Sequence, residues 1–305
     1  MPTPSTLTPD EKSVDEEYSD LLRAAFNAYM LRQSSGGLEP LDSYLPYGLE
    51  DIDRRQWQLL GNEMVEDELN ELTNILNHWH GSLQRWHAWN CVIATYGTDD
   101  AWQLRREFLE ALAHHCLLQP SAIRDTFTFV ATNSMHQARL ASSKTYRDFL
   151  EGDPELPNVK PKHLTRRLKE KRLADLTSHW SESNAFMSSL REIDDGHYRR
   201  ETSDYRNLAS HSIAPRLGIG ITRAVVRSVV QATEMTEQAD GTFKATPISG
   251  KMSVSYGFGG TPPLDMERAR TVNLEQFQRA RICYLSYRNV FAAALASMPC
   301  AKPMD

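Results

Sequence analysis

Apolar residues recur at intervals of three and four over most of the chain, and that spacing predicts helices. From Ser13 to Gln33, the residues Leu21, Leu22, Ala25, Phe26 and Tyr29 make one face, with Ser13-x-x-Glu16 as a capping box at its start. From Asp51 to about Tyr96, Met64, Leu69, Leu72, Ile75, Leu76 and Trp79 make a second stripe, with Gly61 and Gly81 as points of bending. Ala101–Leu118 reads as a helix through Trp102, Phe108, Leu109 and Leu112. Pro120 opens the next, running to Leu150 with Ile123, Phe127, Val130, Met135 and Leu140 inward. Pro161–Leu190, roughly His197–Ser212, and Asp265–Met298 (Leu274, Phe277, Ile282, Leu285 and Phe291) complete the helical set. Between the last two the period changes. Ala224–Thr236 and Thr242–Tyr256 are rich in Val, Thr and Ser and flank Ala239-Asp240-Gly241, which is a β-hairpin pattern. Tyr256-Gly257-Phe258-Gly259-Gly260 reads as a turn, because it lacks the Lys-Ser/Thr of a phosphate-binding loop and the spacing of a dinucleotide fingerprint.

The expected fold class is therefore all-α, a multi-helix bundle with one peripheral β-hairpin at about 224–256. The clearest break, Gly152-Asp153-Pro154-Glu155-Leu156-Pro157, separates an N-terminal helical layer (1–152) from the region 153–305. At 305 residues the chain can bury a substantial core. It has no apolar run of about 18 residues, so no membrane partner is expected, and the start Met1-Pro2-Thr3-Pro4-Ser5 does not read as a secretory signal. Cys91, Cys116, Cys283 and Cys300 are widely spaced, which predicts a reduced, cytoplasmic protein with buried thiols.

Charge is uneven. The net balance is −6, yet residues 1–159 carry 12 basic and 25 acidic side chains while residues 160–227 carry 14 basic and 8 acidic. An anionic partner would be drawn to the basic segment, unless that segment packs against the acidic layer of the same protein. Metal chemistry finds no constellation. His78 and His80 stand about 200° apart on a helix, so with His87 they form a ligand set only if the helix breaks. Asp51 and Asp53 sit at a helix start, where carboxylates are favoured in any case. No metal and no cofactor is expected. Trp57, Trp79, Trp86 and Trp89 read as core or interface.

One stretch remains with concentrated chemistry: Asp204-Tyr205-Arg206-Asn207-Leu208-Ala209-Ser210-His211, closed by Pro215. On a helix, Asn207 and His211 share a face with Asp204 and Arg200, Arg206 lies above Ser203 and Arg199, and Tyr198, Tyr205 and Leu208 face the other way. Arg and His at similar separations also occur at Arg172…His179 and Arg191…His197, but of these pairs only Arg206…His211 has Asn directly after the Arg. Such a set supports a metal-free reaction at a phosphate. The His211 imidazole serves as base or acid, Arg206 offers a planar fork to phosphate oxygens, and Asn207 fixes the imidazole or donates to phosphate. The structural alternative is an Arg206 ion pair with Asp204 or another carboxylate, Asn207 bonded to a loop, and His211 as a C-terminal helix cation.

This segment resembles the Arg-x4-6-His signature of the HEPN superfamily (higher eukaryote and prokaryote nucleotide-binding domains), in the variant with a polar residue after the Arg. The resemblance implies an up-and-down helical bundle of HEPN type and a metal-independent endoribonuclease, with Arg206 and His211 as the catalytic pair and Asn207 as the polar helper. It implies a homodimer that brings two motifs together, with Arg199, Arg200 and Arg216 lining the approach of the RNA strand. A toxin or defence role, restrained by an inhibitor or antitoxin protein, follows from the same resemblance. The alternatives are a catalytically silent module that binds nucleotide, RNA or protein, and a helical scaffold that associates through the Trp57–Trp89 region.

Overall fold

The structure, a computed structural model, describes residues 14–35, 43–154, 156, 158–223 and 225–301. In chain order its elements are α1 (Val14–Ser34), α2 (Gly61–Ile93), α3 (Thr98–Leu104), α4 (Glu110–Ser142), α5 (Arg166–Thr177), α6 (Ser183–Glu192), α7 (Gly196–Glu201), α8 (Tyr205–His211), β1 (Val225–Glu237), β2 (Phe243–Phe258) and α9 (Met266–Ala296). A π-helical turn, Arg105–Leu109, joins α3 to α4. Ser13 and Ala224, the expected starts of the first helix and of the hairpin, lie outside the described residues. The chain forms two compact units: residues up to Thr202 together with those from Glu267 onward, and Ser203–Met266. Residue 152 lies within the first.

The first unit is helical and is built on α2, α4 and α9. Asn133 donates to Glu68 and the His78 and His115 rings meet, so α2 and α4 run antiparallel. Thr73 bonds Tyr284 and Trp79 bonds Asn273, so α2 and α9 are also antiparallel. Between them Trp79, Trp86, Leu69, Leu72, Leu76, Phe127, Phe277, Tyr287 and Phe291 are fully buried. Each large apolar side chain removed from water in this way contributes about 1.5–3 kcal/mol.

Pro120 lies inside α4 rather than at a helix start. A proline has no N–H to donate to the carbonyl four residues back, here that of Cys116, and so ordinarily ends or kinks a helix. The missing donor comes from α9: Asn273 Nδ2 donates to the Cys116 carbonyl at 2.8 Å. The same nitrogen donates to the Tyr198 hydroxyl at 2.9 Å, Asn273 Oδ1 accepts from Trp79 Nε1 at 2.9 Å, and Tyr198 donates to the Leu117 carbonyl at 3.0 Å. Burial pushes the Tyr198 phenol far above the ordinary tyrosine value, so this hydroxyl keeps its proton.

Other boundaries move for identifiable reasons. α2 begins at Gly61 rather than Asp51 and passes through Gly81 without interruption; residues 51–54 form turns, with Trp57 Nε1 on the Ile52 carbonyl. α4 stops at Ser142, short of Leu150, because the following chain turns back onto His136, whose two ring nitrogens meet Tyr146 and Asp148 at 2.8 Å each. The expected helix Pro161–Leu190 is two helices, parted by residues 178–182 and stitched by a Thr177–Ser183 hydroxyl bond of 2.6 Å. In α9, Ile282 and Leu285 are exposed. The buried face runs instead through Val272, Asn273, Gln276, Phe277, Ala280, Cys283, Tyr284 and Tyr287, two of whose members are amides that a hydrophobic stripe does not reveal.

The second unit holds α8 and the antiparallel hairpin, paired from Val225–Phe258 to Glu237–Phe243. The turn between the strands is fixed by Gly241, at φ +80°, and by Asp240, whose carboxylate accepts from the Thr242 N–H and hydroxyl. Tyr256 to Phe258 belong to β2, so only the end of the Gly-rich stretch is non-strand. There a Cβ on Gly260 would sit 2.0 Å from Ile221 Cγ2, and the bridge between Thr222 and Thr261 requires that bare backbone.

Two outcomes follow for the first unit. Asn273→Ala should lower stability by about 2–5 kcal/mol, since it opens a cavity and leaves the Trp79 donor and the Cys116 carbonyl unsatisfied in the core; urea unfolding with an unchanged transition midpoint would refute this. Asp195 caps α7 through the Tyr198 N–H at 2.8 Å and pairs with Arg279 at 2.6 Å. Burial raises its pKa, but the N–H and the guanidinium together outweigh burial and leave it below the ordinary aspartate value. A depressed native pKa gives stability that is present above the unfolded value and lost as pH falls through the native one. Asp195→Asn, which can still cap, should therefore be less stable than the wild type at pH 7, with the gap closing in acid. Melting curves at both pH values measure this, and a gap that persists in acid contradicts it.

Candidate functional site

The motif lies on α8, and the backbone before it decides its geometry. α7 ends at Thr202, and Ser203 and Asp204 both take left-handed backbone angles, φ +51° and +52°. Asp is among the few non-glycine residues that adopt this conformation readily, because its short carboxylate finds a local partner. Here the partner is Asn207, whose Nδ2 donates to Asp204 Oδ2 at 2.9 Å. The helix expected from His197 to Ser212 is thus two short helices, interrupted at Ser203 and Asp204. The single stripe that joined Arg200 and Asp204 to Asn207 and His211 does not form, because two left-handed residues reset the helical phase.

Within α8, Asn207 and His211 remain one turn apart on one face, and Arg206 points about 140° round from His211. His211 and Asn207 are exposed and Arg206 is half-buried. Among the described residues, the Arg206 and His211 side chains make no hydrogen bond or ion pair. The helix stops where the Ser212 N–H bonds the Leu208 carbonyl at 2.8 Å, with the Ser212 hydroxyl taken by Arg223 and buried Pro215 just beyond. Arg216 follows on a loop in the same unit, pinned by the Leu264 N–H on its carbonyl at 2.9 Å and by its own N–H on Thr222 Oγ1 at 3.1 Å. Gly220, at φ +96°, leaves space for the Arg216 side chain, since a Cβ there would stand 2.8 Å from Arg216 Cδ. The Arg216 residue is exposed.

Arg199 and Arg200 belong to the first unit. Arg200 is exposed on α7. Arg199 pairs with Asp194, Nη2 to Oδ2 at 2.7 Å. Asp194 is only 4% exposed and also takes Arg166 at 2.8 Å, while its own N–H bonds Gln276 Oε1 at 2.7 Å. Arg166 in turn holds Asp125 at 2.7 Å and Ser121, so one member of the basic run 160–172 is an internal strut. Arg124 is another, paired with Glu170 at 2.8 Å. Nothing in the sequence marked Asp194, since the residue that identifies it, Arg166, is 28 positions away.

The histidines of α2 diverge. His78 meets the His115 ring at 5.3 Å, and His80 is buried between Tyr44 and Phe277. Among the described residues no group of three His, Cys, Asp or Glu side chains is arranged to hold a metal ion, and no helix is long and apolar enough to cross a membrane. Comparison with known family models, with curated proteins and with solved structures finds no match for this chain.

Of the four cysteines, Cys116 and Cys283 are buried, Cys91 is half-buried and Cys300 is exposed, so the expectation of buried thiols holds for two. Burial pushes Cys116 and Cys283 up to about 12, which removes the reactive thiolate at neutral pH. Iodoacetamide on the native protein should label Cys300 first and leave Cys116 and Cys283 unmodified until denaturant is added. Peptide mass mapping reads this, and early labelling of either buried thiol contradicts it.

Proposed function

We propose that this chain is a metal-independent endoribonuclease whose reacting groups are His211 and Arg206, with Asn207 positioned by Asp204. One observation carries the reading. Arg124, Arg166, Arg199 and Arg279 are each engaged by a carboxylate. Arg206 and His211 sit five residues apart on a terminated, solvent-facing helix and have no such partner among the described residues. The structural alternative for Arg206 required an ion pair, which it lacks among the described residues, while His211 does lie in the last turn of α8 as that alternative has it. The resemblance to the HEPN signature, and with it a bundle of that type, stands as part of this proposal.

In this reaction the ribose 2′-oxygen attacks the adjacent phosphorus. The 2′-O–P bond forms, the P–O5′ bond breaks, the 2′-OH proton passes to a base, and an acid returns a proton to the 5′-oxygen. The products are a 2′,3′-cyclic phosphate and a free 5′-hydroxyl. Neutral His211 is the base or, protonated, the acid. Arg206 stabilises the anionic phosphorane through its fork of donors. The Asn207 amide, tied at Nδ2 to Asp204, keeps its carbonyl and a second N–H for the imidazole or the phosphate. Arg216 supplies strand contact from the same unit. One α8 offers one imidazole, so acid and base come from two copies of the chain.

The test is cleavage of structured and single-stranded RNA in excess EDTA. Wild type should yield cyclic phosphate ends, and His211→Ala and Arg206→Ala should each lose about a hundredfold or more in rate while circular dichroism and melting temperature hold. Variants that cleave as fast as wild type, or a wild type inert on all substrates, would sink the proposal.

A further inference from the structure

The hairpin is long and thin, and one of its two faces carries most of its exposed apolar side chains. Its strands have 13 and 16 residues, so the arm extends about 40 Å. Val225, Val229, Val230 and Met235 on β1, and Phe243, Met252, Val254 and Tyr256 on β2, are all exposed. A two-stranded ribbon with both faces in water is marginal by itself, and an unpaired strand edge is a template for another strand.

The two edges are not equivalent. β2 carries the devices that block further pairing: Pro247, which has no N–H, Lys244 and Lys251, and a bulge. Between the pairs Gln231–Met252 and Thr233–Pro247 it runs through four residues, 248–251, with Gly250 at φ +72°, against the single Ala232 of β1. β1 has none of these. It contains no Pro, no Gly and no Lys. The edge of β1 is open and that of β2 is guarded.

The charges on β1 select what pairs there. Arg227 lies near one end, and Glu234 and Glu237 near the other. A parallel copy would set like charges side by side. An antiparallel copy, related by a twofold axis near Ala232, sets Arg227 against Glu237 of the second copy, and does so twice. On the same face Val229 then meets Met235, again twice. Within one hairpin Arg227 and Glu237 face the uncharged Tyr256 and Phe243, so neither has a charged partner directly across the ribbon. We infer that the β1 edge is the interface between two copies of this chain, joined antiparallel into a continuous four-stranded sheet. The chemistry proposed for His211 also calls for two copies, but this interface is argued from the hairpin alone, and its readout is association rather than cleavage.

The experiment is sedimentation equilibrium on wild type, Arg227→Glu, Glu237→Arg and the double variant. Wild type should dimerise. Each single reversal replaces two attractions by two repulsions and should raise the dissociation constant about tenfold. The double variant restores both pairs with exchanged signs and should recover to within about threefold of wild type. All positions are exposed, so folding is preserved, and circular dichroism checks this. A wild type that stays monomeric overturns the inference and leaves the edge to a strand of another protein. A dimer indifferent to the single reversals, or one that the double variant fails to restore, overturns it as well.

Discussion

The helical unit depends on one buried amide. Pro120 sits in the middle of α4, where it leaves the Cys116 carbonyl without its helical donor. A helix survives such a residue only if the orphaned carbonyl finds another partner, because an unsatisfied buried polar group costs about 1–3 kcal/mol. Asn273 of α9 is that partner, and its remaining capacity is taken up by Trp79 of α2 and Tyr198 of α7. Four helices are thereby keyed to one side chain. The requirement for directed bonds, which apolar packing alone lacks, fixes the register of α9 against α4.

A second buried group does similar service nearer the motif. Asp194 draws Arg166 and Arg199 together and closes on Gln276, so the chain leaving α6 for α7 has one arrangement. Removing one partner from a buried ion pair leaves an uncompensated charge, which makes such a cluster a positional constraint more than a source of net stability. It also sorts the arginines of the basic segment. Those engaged by carboxylates are parts of the frame. Arg206, with no ion pair or hydrogen bond of its side chain among the described residues, is where the proposed chemistry is placed.

Local backbone chemistry governs the motif itself. Two consecutive left-handed residues, Ser203 and Asp204, end one helix and begin another, and the Asp204–Asn207 bond holds the start of α8. A continuous helix would have placed Arg200 on the same face as His211. The break leaves α8 a self-contained carrier of Arg206, Asn207 and His211, and the proposal of an RNA-cleaving enzyme rests on that compact set.

Much was legible in the sequence because it depends on near neighbours. The helical character, the stripes of α2 and α4, the hairpin with its Asp240-Gly241 turn and the concentration of polar chemistry at Arg206–His211 are all written in spacings of two to five residues. The places where expectation failed are those where a distant partner replaces a local rule. Pro120 reads as a helix start until Asn273, far along the chain, supplies its missing bond. Leu285 reads as core until Asn273 and Gln276 are seen to occupy the buried face through their amide contacts. Arg199 reads only as part of the basic segment until Asp194 is found paired with it. Periodicity reports which side chains avoid water and turn residues report which backbone angles are tolerated, so the sequence by itself determined element types and candidate chemistry. Hydrogen bonds between buried polar groups on different elements carry no such periodic signal, and only the tertiary structure decided where the helices begin and end, which face of α9 is buried, and which cations remain unengaged.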